Sequence, residues 1–333
     1  MSGYREMGLL LSIAIETYNQ EDYIKQTLDS ILSQDYWFDY EIVIGEDCST
    51  DSTPQIVDDY ARKYPQIRVI HNSSNLGAMG NYYNVLKNCF GKYFMDCAGD
   101  DFWLPGKVRA QIEFMENNPE VGMYYGKVKR IDSLNNMVVG IWGKKVNNTY
   151  EVMHDIGSIP PVTMCIRKEA LDKYINEIEP QKKAWLMEDY PFYLWATKNI
   201  NIIFEDSYFA TYRVIENSVS HPVSLDKRIH FMESVKDVKL YFNSKYNIIT
   251  NDEIEDMYVL DVINTCFDLF FETNQYIYQE KIISFSQKLK CPTLKMRVKV
   301  FVAKYSMLLF IARQIKLLKH FIDKNFTKTR LMK

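Results

Sequence analysis

The sequence predicts an α/β fold built on a doubly wound, mostly parallel sheet. Short and nearly all-apolar runs, which are typical of strands buried on both faces, alternate with segments that carry apolar residues at helical spacing. Acidic residues follow several of these runs, and open α/β sheets bind their ligands at the carboxyl ends of the strands. The alternation favours parallel strands that are joined by helices.

The elements of this alternation are clearest in residues 1–101. The first expected strand, Leu9–Ile15, is followed by a helix that Asn19 caps, with Asp22 at the reciprocal position. Thr53-Pro54 opens the second helix, because proline suits the first helical position. The other expected elements here are strand Glu41–Gly45, strand Arg68–Ile70, helix Gly80–Cys89 and strand Lys92–Cys97.

The order of elements is looser beyond residue 101. From Leu225 onward only helical patterns occur, with Pro292 as a break. Between these points the expected helices are Lys107–Asn117 and Asp189–Lys198, and the expected strands are Val121–Lys127, Met137–Trp142, Val162–Ile166 and Tyr208–Arg213.

The bulk composition is that of a globular protein, with 333 residues, 47% hydrophobic and 25% charged. A core of this size needs no disulfide or structural metal. The six cysteines form no CxxC pair, and several lie in apolar runs, which indicates reduced thiols in a cytosolic protein. No signal peptide is recognisable, and no apolar run approaches the length of a membrane-spanning helix.

Charge is distributed unevenly around the net value of −3. Residues 292–333 hold eleven basic side chains and one acidic side chain, and the remainder holds 29 basic and 42 acidic ones. The segment Lys304–Lys324 reads as a helix with one apolar and one basic half, which is typical of binding to an anionic membrane surface. Packing of its apolar half on the rest of the protein is the alternative. Nucleic acid is disfavoured, because the tail lacks interleaved aromatic residues and the body is acidic.

Acidic groups stand at or near four expected strand ends: Glu16, Glu46-Asp47, Asp100-Asp101 and Glu188-Asp189. Taken singly, each group is explained as a helix cap or as part of a solvated loop. Asp100-Asp101 follows the apolar run Lys92–Cys97, and adjacent carboxylates at such a position suit Mg²⁺ or Mn²⁺ completed by a nucleoside diphosphate. Together the four groups predict one acidic site at a single edge of the sheet.

A series of segments resembles the family 2 glycosyltransferases, in order and with fitting spacing over about residues 8–222. Lys107 and Gln111 fit the helix after its central block. The matching segments are Ser12–Asn19, Glu41–Thr53, Asn75–Gly77, Gly91–Tyr93, Gly99–Trp103, Glu188–Pro191 and Tyr212-Arg213. Each segment is weak alone, and the series is specific.

The resemblance implies the GT-A fold over residues 1–222, with a nucleotide-sugar half at about 1–105 and an acceptor half at about 106–222. Residues 223–333 are then a helical extension that ends in the basic helix 304–324. The implied activity is inverting, metal-dependent transfer of a hexose or N-acetylhexosamine from a UDP-sugar, with guanine and thymine nucleotides left open. The implied acceptor is a polyprenyl-diphosphate-linked glycan of O-antigen, capsule or other cell-envelope polysaccharide, at the cytoplasmic face of the membrane.

The resemblance also assigns roles to single residues. Asp189 is implied as the catalytic base, with the adjacent Glu188 as a rival, since neighbouring positions on a helix point about 100° apart. Asp100 and Asp101 are implied as ligands of Mn²⁺ or Mg²⁺. Trp185 and Glu188 are assigned to the acceptor, although Trp185 is equally well explained as a core residue. The residues assigned to the nucleotide and donor are Glu16, Thr17, Tyr18, Asp47, Asn75, Gly77, Asp100 and Arg213.

The chain departs from the family pattern at three positions. Ala98 replaces the acid that usually begins the metal motif, and Glu16 stands where proline or a small residue is more common. Ile215 replaces a histidine that often follows the Tyr-Arg pair, for which His221 is a candidate substitute. A third protein ligand for the metal is therefore in question.

Three other classes of protein fit the sequence less well. A nucleotidyltransferase needs a loop rich in glycine and basic residues after the first strand, and Glu16–Gln20 has neither. A dehydrogenase is disfavoured because no G-x-G-x-x-G follows that strand. A non-catalytic carbohydrate-binding or scaffold protein has no need for Asp100, Asp101 and Asp189 together.

Overall fold

The computed structural model describes residues 8–215, 224–273, 275–290 and 294–305, together with residues 308, 311 and 314. The chain divides into two compact units, Met1–Glu216 and Asn217–Lys333. The predicted boundary between residues 222 and 223 falls at the edge of the segment 216–223, which lies outside the described residues.

The first unit is an α/β structure with a sheet of nine strands within the described residues. The strands are β1 (Leu9–Thr17), β2 (Asp39–Glu46), β3 (Ile67–His71), β4 (Tyr93–Asp96), β5 (Phe102–Trp103), β6 (Val121–Asp132), β7 (Val138–Trp142), β8 (Cys165–Arg167) and β9 (Asn201–Val214). The helices are α1 (Ile24–Leu32), α2 (Thr53–Lys63), α3 (Gly77–Leu86), α4 (Lys107–Asn117), α5 (Thr149–His154), α6 (Lys168–Ile178) and α7 (Asp189–Asn199).

The sheet is mixed. Its strand order is β3-β2-β1-β4-β8-β6-β9-β5, and β7 pairs with β6 outside this path. The first four strands are parallel to one another, as predicted, whereas β8 is antiparallel to both β4 and β6. The expectation of a mostly parallel sheet therefore holds for residues 9–96. It does not hold for the second half of the sheet, which is mixed.

The core of the first unit lies on both faces of the parallel strands. The consecutive residues 11–15 of β1 and 42–44 of β2 are fully buried, because helices cover both faces of the sheet. Val57 of α2 and Ile112 of α4 are also fully buried in this core. These helices fix the strands, and the strands in turn fix the loops at their carboxyl ends.

Three predicted boundaries are wrong. Asn19 does not cap α1, which begins at Ile24; its backbone is left-handed, with φ of 52°, and its Oδ1 accepts a hydrogen bond of 2.8 Å from the Thr50 N–H. Asparagine tolerates that conformation, so it ties two loops together instead of starting a helix. α3 begins at Gly77, three residues before its predicted start, and residues 161–163 form a short 3₁₀ helix ahead of β8.

The second unit is helical throughout its described part, as predicted. Its helices are α8 (Leu225–Tyr246), α9 (Asn251–Thr273), α10 (Ile277–Ser286) and α11 (Leu294–Lys304). α9 supplies most of its core, including Val262 and Cys266. The predicted basic helix 304–324 lies almost entirely outside the described residues. Within the described residues, no helix combines the length and apolarity that crossing a bilayer requires.

Candidate active site

Three loops meet where the parallel strands β1, β2 and β4 end. The Asp47 N–H after β2 donates to the Thr17 carbonyl at 3.0 Å, and the Gly99 N–H after β4 donates to the Glu16 carbonyl at 2.9 Å. The strands are neighbours in the sheet, so their carboxyl ends share one edge. The predicted site residues Glu16, Thr17, Asp47, Asp100 and Asp101 are therefore brought to that edge together.

Asp47 holds the loop that leads into α3. Its buried carboxylate accepts hydrogen bonds from Asn72 Nδ2 and the Leu76 N–H, both at 2.8 Å, and from the Gly77 N–H at 2.9 Å. Asn75 supports the same turn, since its Oδ1 accepts from the Gly77 N–H at 3.0 Å. Two of these bonds use Asp47 Oδ1 and one uses Oδ2, so Oδ2 keeps one acceptor position for a ligand.

Arg213 lies beneath the Asp100-Asp101 pair. Its backbone N–H donates to Asp101 Oδ1 at 2.8 Å, and its Nε donates to the Asp100 carbonyl at 3.0 Å. The two remaining guanidinium nitrogens donate to Asn136 Oδ1 and Gln26 Oε1, at 2.9 and 2.7 Å. Every side-chain nitrogen of this buried arginine therefore has a described partner. Arg213 holds the turn that carries Asp100 and Asp101, which we call the acidic turn, and within the described contacts no guanidinium nitrogen is left free for a phosphate.

Four carboxyl groups, those of Glu16, Asp96, Glu188 and Asp189, form an acidic cluster at this edge. Burial and the nearby Asp96 and Glu188 raise the pKa of Glu16 well above its ordinary value. Burial raises the pKa of Asp96 to about 6, with Asp189 adding to the effect. Burial, Asp189 and Asp96 raise the pKa of Glu188 to about 8. These mutual effects place the four groups in one electrostatic neighbourhood.

The four carboxyl groups of this cluster do not all carry a negative charge at the same time. A hydrogen bond between the Glu16 and Asp96 carboxyl groups raises the pKa of Glu16 and lowers that of Asp96, while burial raises both. Two ionised carboxylates repel each other at such a position, and burial favours the neutral form of an acid. Glu16 and Asp96 therefore titrate as a coupled pair.

Glu188 and Asp189 both contribute to the acidic cluster. Glu188 is the N-cap residue of α7 and Asp189 is its first residue, and Asp189 contributes to the raised pKa of Glu188. Asp189 Oδ1 accepts from the Tyr190 N–H at 2.7 Å. Burial raises the pKa of Asp189, and the buried Tyr193 lies close enough that Asp189 and Glu188 raise the pKa of its hydroxyl. A hydrogen bond from the Tyr193 hydroxyl lowers the pKa of Asp189 and offsets part of the effect of burial.

Tyr18 and Trp185 differ sharply in accessibility. Tyr18 follows β1 at the edge of the site and is 45% exposed, so its ring is open to a ligand. Trp185 is 7% exposed, which leaves little of its ring for a sugar and favours the alternative of a packing residue.

Two residues important to the site were missed by the sequence analysis. Asp96 was included in an apolar strand, although an acid in such a run is the signal of a buried charge. Lys107, matched only as a motif residue, is fully buried and donates to Gln111 Oε1 at 2.6 Å. Burial lowers the pKa of Lys107 to about 8, and its ammonium lies near Asp96.

The Asp100-Asp101 pair suits a hard divalent cation in its chemistry. Burial raises the pKa of both carboxyls, and Asp100 raises that of Asp101 further. A cation would offset that repulsion, and carboxylate oxygens are the ligands that Mg²⁺ and Mn²⁺ prefer. Among the described residues, no group of three or more His, Cys, Asp or Glu side chains is arranged to hold a metal. His221, the candidate third ligand, lies outside them.

The comparisons with known proteins agree with this architecture. The sequence model of glycosyl transferase family 2 matches residues 12–214, which span every loop of the site. The chain belongs to glycosyl transferase family 2.

Individual relatives match part of the sequence, and solved structures match the fold. An uncharacterised protein of Mycobacterium tuberculosis is 38% identical over 123 residues, 36% of each chain, so the match covers about a third of that relative's length. UDP-Glc:alpha-D-GlcNAc-diphosphoundecaprenol beta-1,3-glucosyltransferase WfgD of Escherichia coli is 27% identical over 215 residues, 63% of this chain and 79% of WfgD. The structure of S. aureus TarS 1-349 with UDP-GlcNAc covers 91% of this chain and 89% of TarS 1-349, at 20% identity and a TM-score of 0.59. That likeness establishes the GT-A fold.

Proposed function

We propose that this chain transfers a sugar from a nucleoside diphosphate donor to a glycan hydroxyl, with inversion at the anomeric carbon and with the help of a divalent cation. The observation that carries the proposal is the grouping of Asp96, Asp101, Glu188 and Asp189, whose carboxyl groups shift one another's pKa at the sheet edge where the donor loops meet. Sugar transfer needs a proton acceptor and a site for the charge of the leaving group within one such cleft.

Asp189 is the catalytic base in this proposal. An acceptor hydroxyl loses its proton as it attacks, and a carboxylate within hydrogen-bond reach can take that proton. Burial raises the pKa of Asp189, which makes its carboxylate a stronger base than an exposed one. Glu188, whose pKa is raised to about 8, holds its proton at neutral pH and serves as a hydrogen-bond donor to the acceptor.

The donor would bind across the loops after β1, β2 and β4. Asp100 and Asp101 would hold Mn²⁺ or Mg²⁺, and the bound cation would stabilise the negative charge of the departing diphosphate. The exposed ring of Tyr18 offers a stacking surface for the base, and Asp47 Oδ2 retains one acceptor position for a base N–H. Thr17 Oγ1, which is buried without a partner, is available to the same ligand.

The proposed donor and acceptor classes are supported by what the names of two comparison proteins state. TarS was solved with UDP-GlcNAc, and the name of WfgD gives UDP-Glc as donor and a diphosphoundecaprenol-linked sugar as acceptor. We therefore assign this chain a UDP-sugar donor and a polyprenyl-diphosphate-linked acceptor of a cell-envelope polysaccharide such as O-antigen or capsule. That acceptor places the enzyme at the cytoplasmic face of the membrane, where the basic segment 304–324 would contact anionic lipid.

A thermal-shift panel tests the proposal. UDP-, GDP- and dTDP-sugars are added to the full-length protein with Mn²⁺, Mg²⁺ or EDTA, because a ligand that binds the folded state raises its melting temperature. We expect UDP-sugars to raise the melting temperature by about 5 °C with Mn²⁺ and by less with EDTA.

The matched control is Asp101→Asn, which keeps the shape of the side chain and removes its charge. This variant should lose the Mn²⁺-dependent part of the shift. A protein that no nucleotide sugar stabilises in the presence of either metal would contradict the proposal.

A further inference from the structure

The hairpin of β6 and β7 exposes a run of large apolar side chains. Exposed fractions reach 91% at Leu134, 57% at Met137, 60% at Val138, 56% at Val139 and 60% at Ile141. We call these five residues the hairpin patch. Other exposed large apolar side chains of the first unit, such as Trp37 and Phe90, stand apart from one another in the sequence. A contiguous apolar patch on a protein surface marks an interaction site more often than scattered single residues do.

The backbone of the hairpin also has an open side. Within the described residues, β7 pairs with β6 alone, so the backbone groups along its outer edge have no strand partner. Natural proteins usually protect an apolar edge strand with charges, prolines or a covering element. β7 has the sequence Val-Val-Gly-Ile-Trp and carries none of these on its own residues.

Basic residues surround the hairpin patch. Residues 127–145 contain five basic side chains and one acid, whereas the stretch 8–215 as a whole is acidic. That acid, Asp132, is used locally, since its Oδ1 accepts from the Leu134 N–H at 2.9 Å and from the Asn135 N–H at 3.3 Å. Lys144 and Lys145 follow Gly143 at the end of β7 and are exposed, with Lys144 paired to Asp155 and Lys127 paired to Asp206.

Apolar and basic groups lie on the same surface of the hairpin. Lys129 pairs with Ile141 across the two strands, and residues that face each other in this way project from the same side of a sheet. The Lys129 ammonium lies 5.4 Å from the ring centroid of Tyr208, which is itself partly exposed. Aliphatic, aromatic and lysine side chains on one surface are the combination found at the boundary between lipid and water.

We propose that the hairpin patch is a docking surface for an anionic lipid bilayer. The aliphatic side chains would enter the boundary between headgroups and acyl chains, and the surrounding lysines would contact lipid phosphates. A second copy of this chain fits less well, because pairing along β7 would bring two basic surfaces together. The basic C-terminal segment is disfavoured as a cover for the same reason.

The position of the hairpin ties this surface to the candidate active site. Asn136 lies in the turn between β6 and β7, and its Oδ1 accepts from the Arg213 guanidinium that also bonds the Asp100 carbonyl. A bilayer beneath the hairpin would thus lie one contact away from the acidic turn. The docking itself does not depend on the transfer reaction and is measured without substrate.

The test compares the binding of two full-length variants to vesicles. Val139→Ser/Ile141→Ser removes two apolar side chains of the hairpin patch that project from the same face of β7, and Phe90→Ser removes an exposed apolar side chain elsewhere. Each protein is floated with vesicles of phosphatidylcholine alone or with 30% phosphatidylglycerol. We expect the hairpin variant to bind the anionic vesicles about tenfold more weakly than the parent protein, and Phe90→Ser to match the parent.

Hydrogen exchange on the unmodified protein locates the contact independently of any variant. Amides of residues 134–145 should gain protection when anionic vesicles are added, and amides around Phe90 should not. Equal flotation of the hairpin variant and the parent would overturn the proposal. Protection that appears without lipid and grows with protein concentration would also overturn it, by assigning the hairpin patch to a second copy.

Discussion

Two opposing effects act on the carboxyl group of Asp189. It lies in the first turn of α7, where free backbone N–H groups stabilise a negative charge. Burial has the larger effect, and the pKa of Asp189 is raised. A carboxylate with a raised pKa is a better match to an acceptor hydroxyl than an exposed one, because general-base catalysis improves as the pKa of the base nears the working pH.

Replacing Asp189 with asparagine tests this role. Asp189→Asn keeps the size of the side chain and its bond to the Tyr190 N–H, but it cannot accept a proton from the acceptor. We expect kcat for sugar transfer to fall about a thousandfold, with UDP affinity unchanged in calorimetry. Asp59→Asn, an exposed change on α2, is the matched control and should keep full activity. Transfer by Asp189→Asn at the rate of the control would assign the base elsewhere.

Site residues that belong to a family motif were predicted from the sequence. Site residues whose role depends on burial against other strands were not. Asp100, Asp101 and Asp189 were identified because their spacing matches a family pattern. Asp96 was missed because its neighbours in β4 are apolar, and only the placement of Glu16 on the adjacent strand makes it one half of a coupled acid pair. Contacts of this kind depend on how the strands pair, which local sequence does not contain.

At the scale of elements, the loop before α3 depends on a single backbone conformation. Gly77 adopts φ of 74°, and from that position its N–H reaches Asp47 Oδ2. No atom lies within 4 Å of where a Cβ on Gly77 would stand, so a substitution there tests the backbone angle alone. An L-residue loses about 1–2 kcal/mol in this left-handed region.

Gly77→Ala should therefore lower the free energy of unfolding by about 1 kcal/mol. It should also weaken UDP binding. When residue 77 leaves the left-handed conformation, its N–H moves away from Asp47 Oδ2 and the loop around Asp47 shifts. Gly140→Ala is the matched control, since a Cβ there also meets open space and φ is not left-handed. Denaturant unfolding of both variants measures the difference. Equal stability of the two variants would show that the turn is not strained by a side chain.

The order of elements was predictable in the first half of the unit and less so in the second. β1, β2, β3 and β4 lie in parallel because α1, α2 and α3 connect them in turn, and apolar runs with helical segments between them reveal that pattern. β8 has three residues and joins the two halves of the sheet by antiparallel pairing with β4 and β6. A strand was predicted at residues 162–166, but a segment that short does not reveal which strands it pairs with or in which direction.

At the scale of the whole molecule, the buried acids couple stability to pH. Glu188 has a pKa of about 8 in the folded protein, against an ordinary value of 4.5. Between these values the folded protein holds a proton that the unfolded chain releases, so the free energy of unfolding falls as pH rises. Asp96, with its pKa raised to about 6, acts in the same direction at lower pH. His71, whose pKa is raised by its contacts with Asp58 and Glu46, adds the same sign near neutrality.

The metal-free protein should therefore be most stable on the acidic side of neutrality. We expect its free energy of unfolding to decrease from about pH 5.5 to pH 8.5, and Glu188→Gln, which is neutral throughout, to reduce this slope. Denaturant unfolding in EDTA at three pH values measures both slopes, with Glu120→Gln as the control for an exposed acid. A parent protein whose stability rises over this interval would contradict the shared proton in the acidic cluster. A slope that Glu188→Gln leaves unchanged would assign the coupling to the other titrating groups, because the Glu188 carboxyl would then carry the same charge in both states.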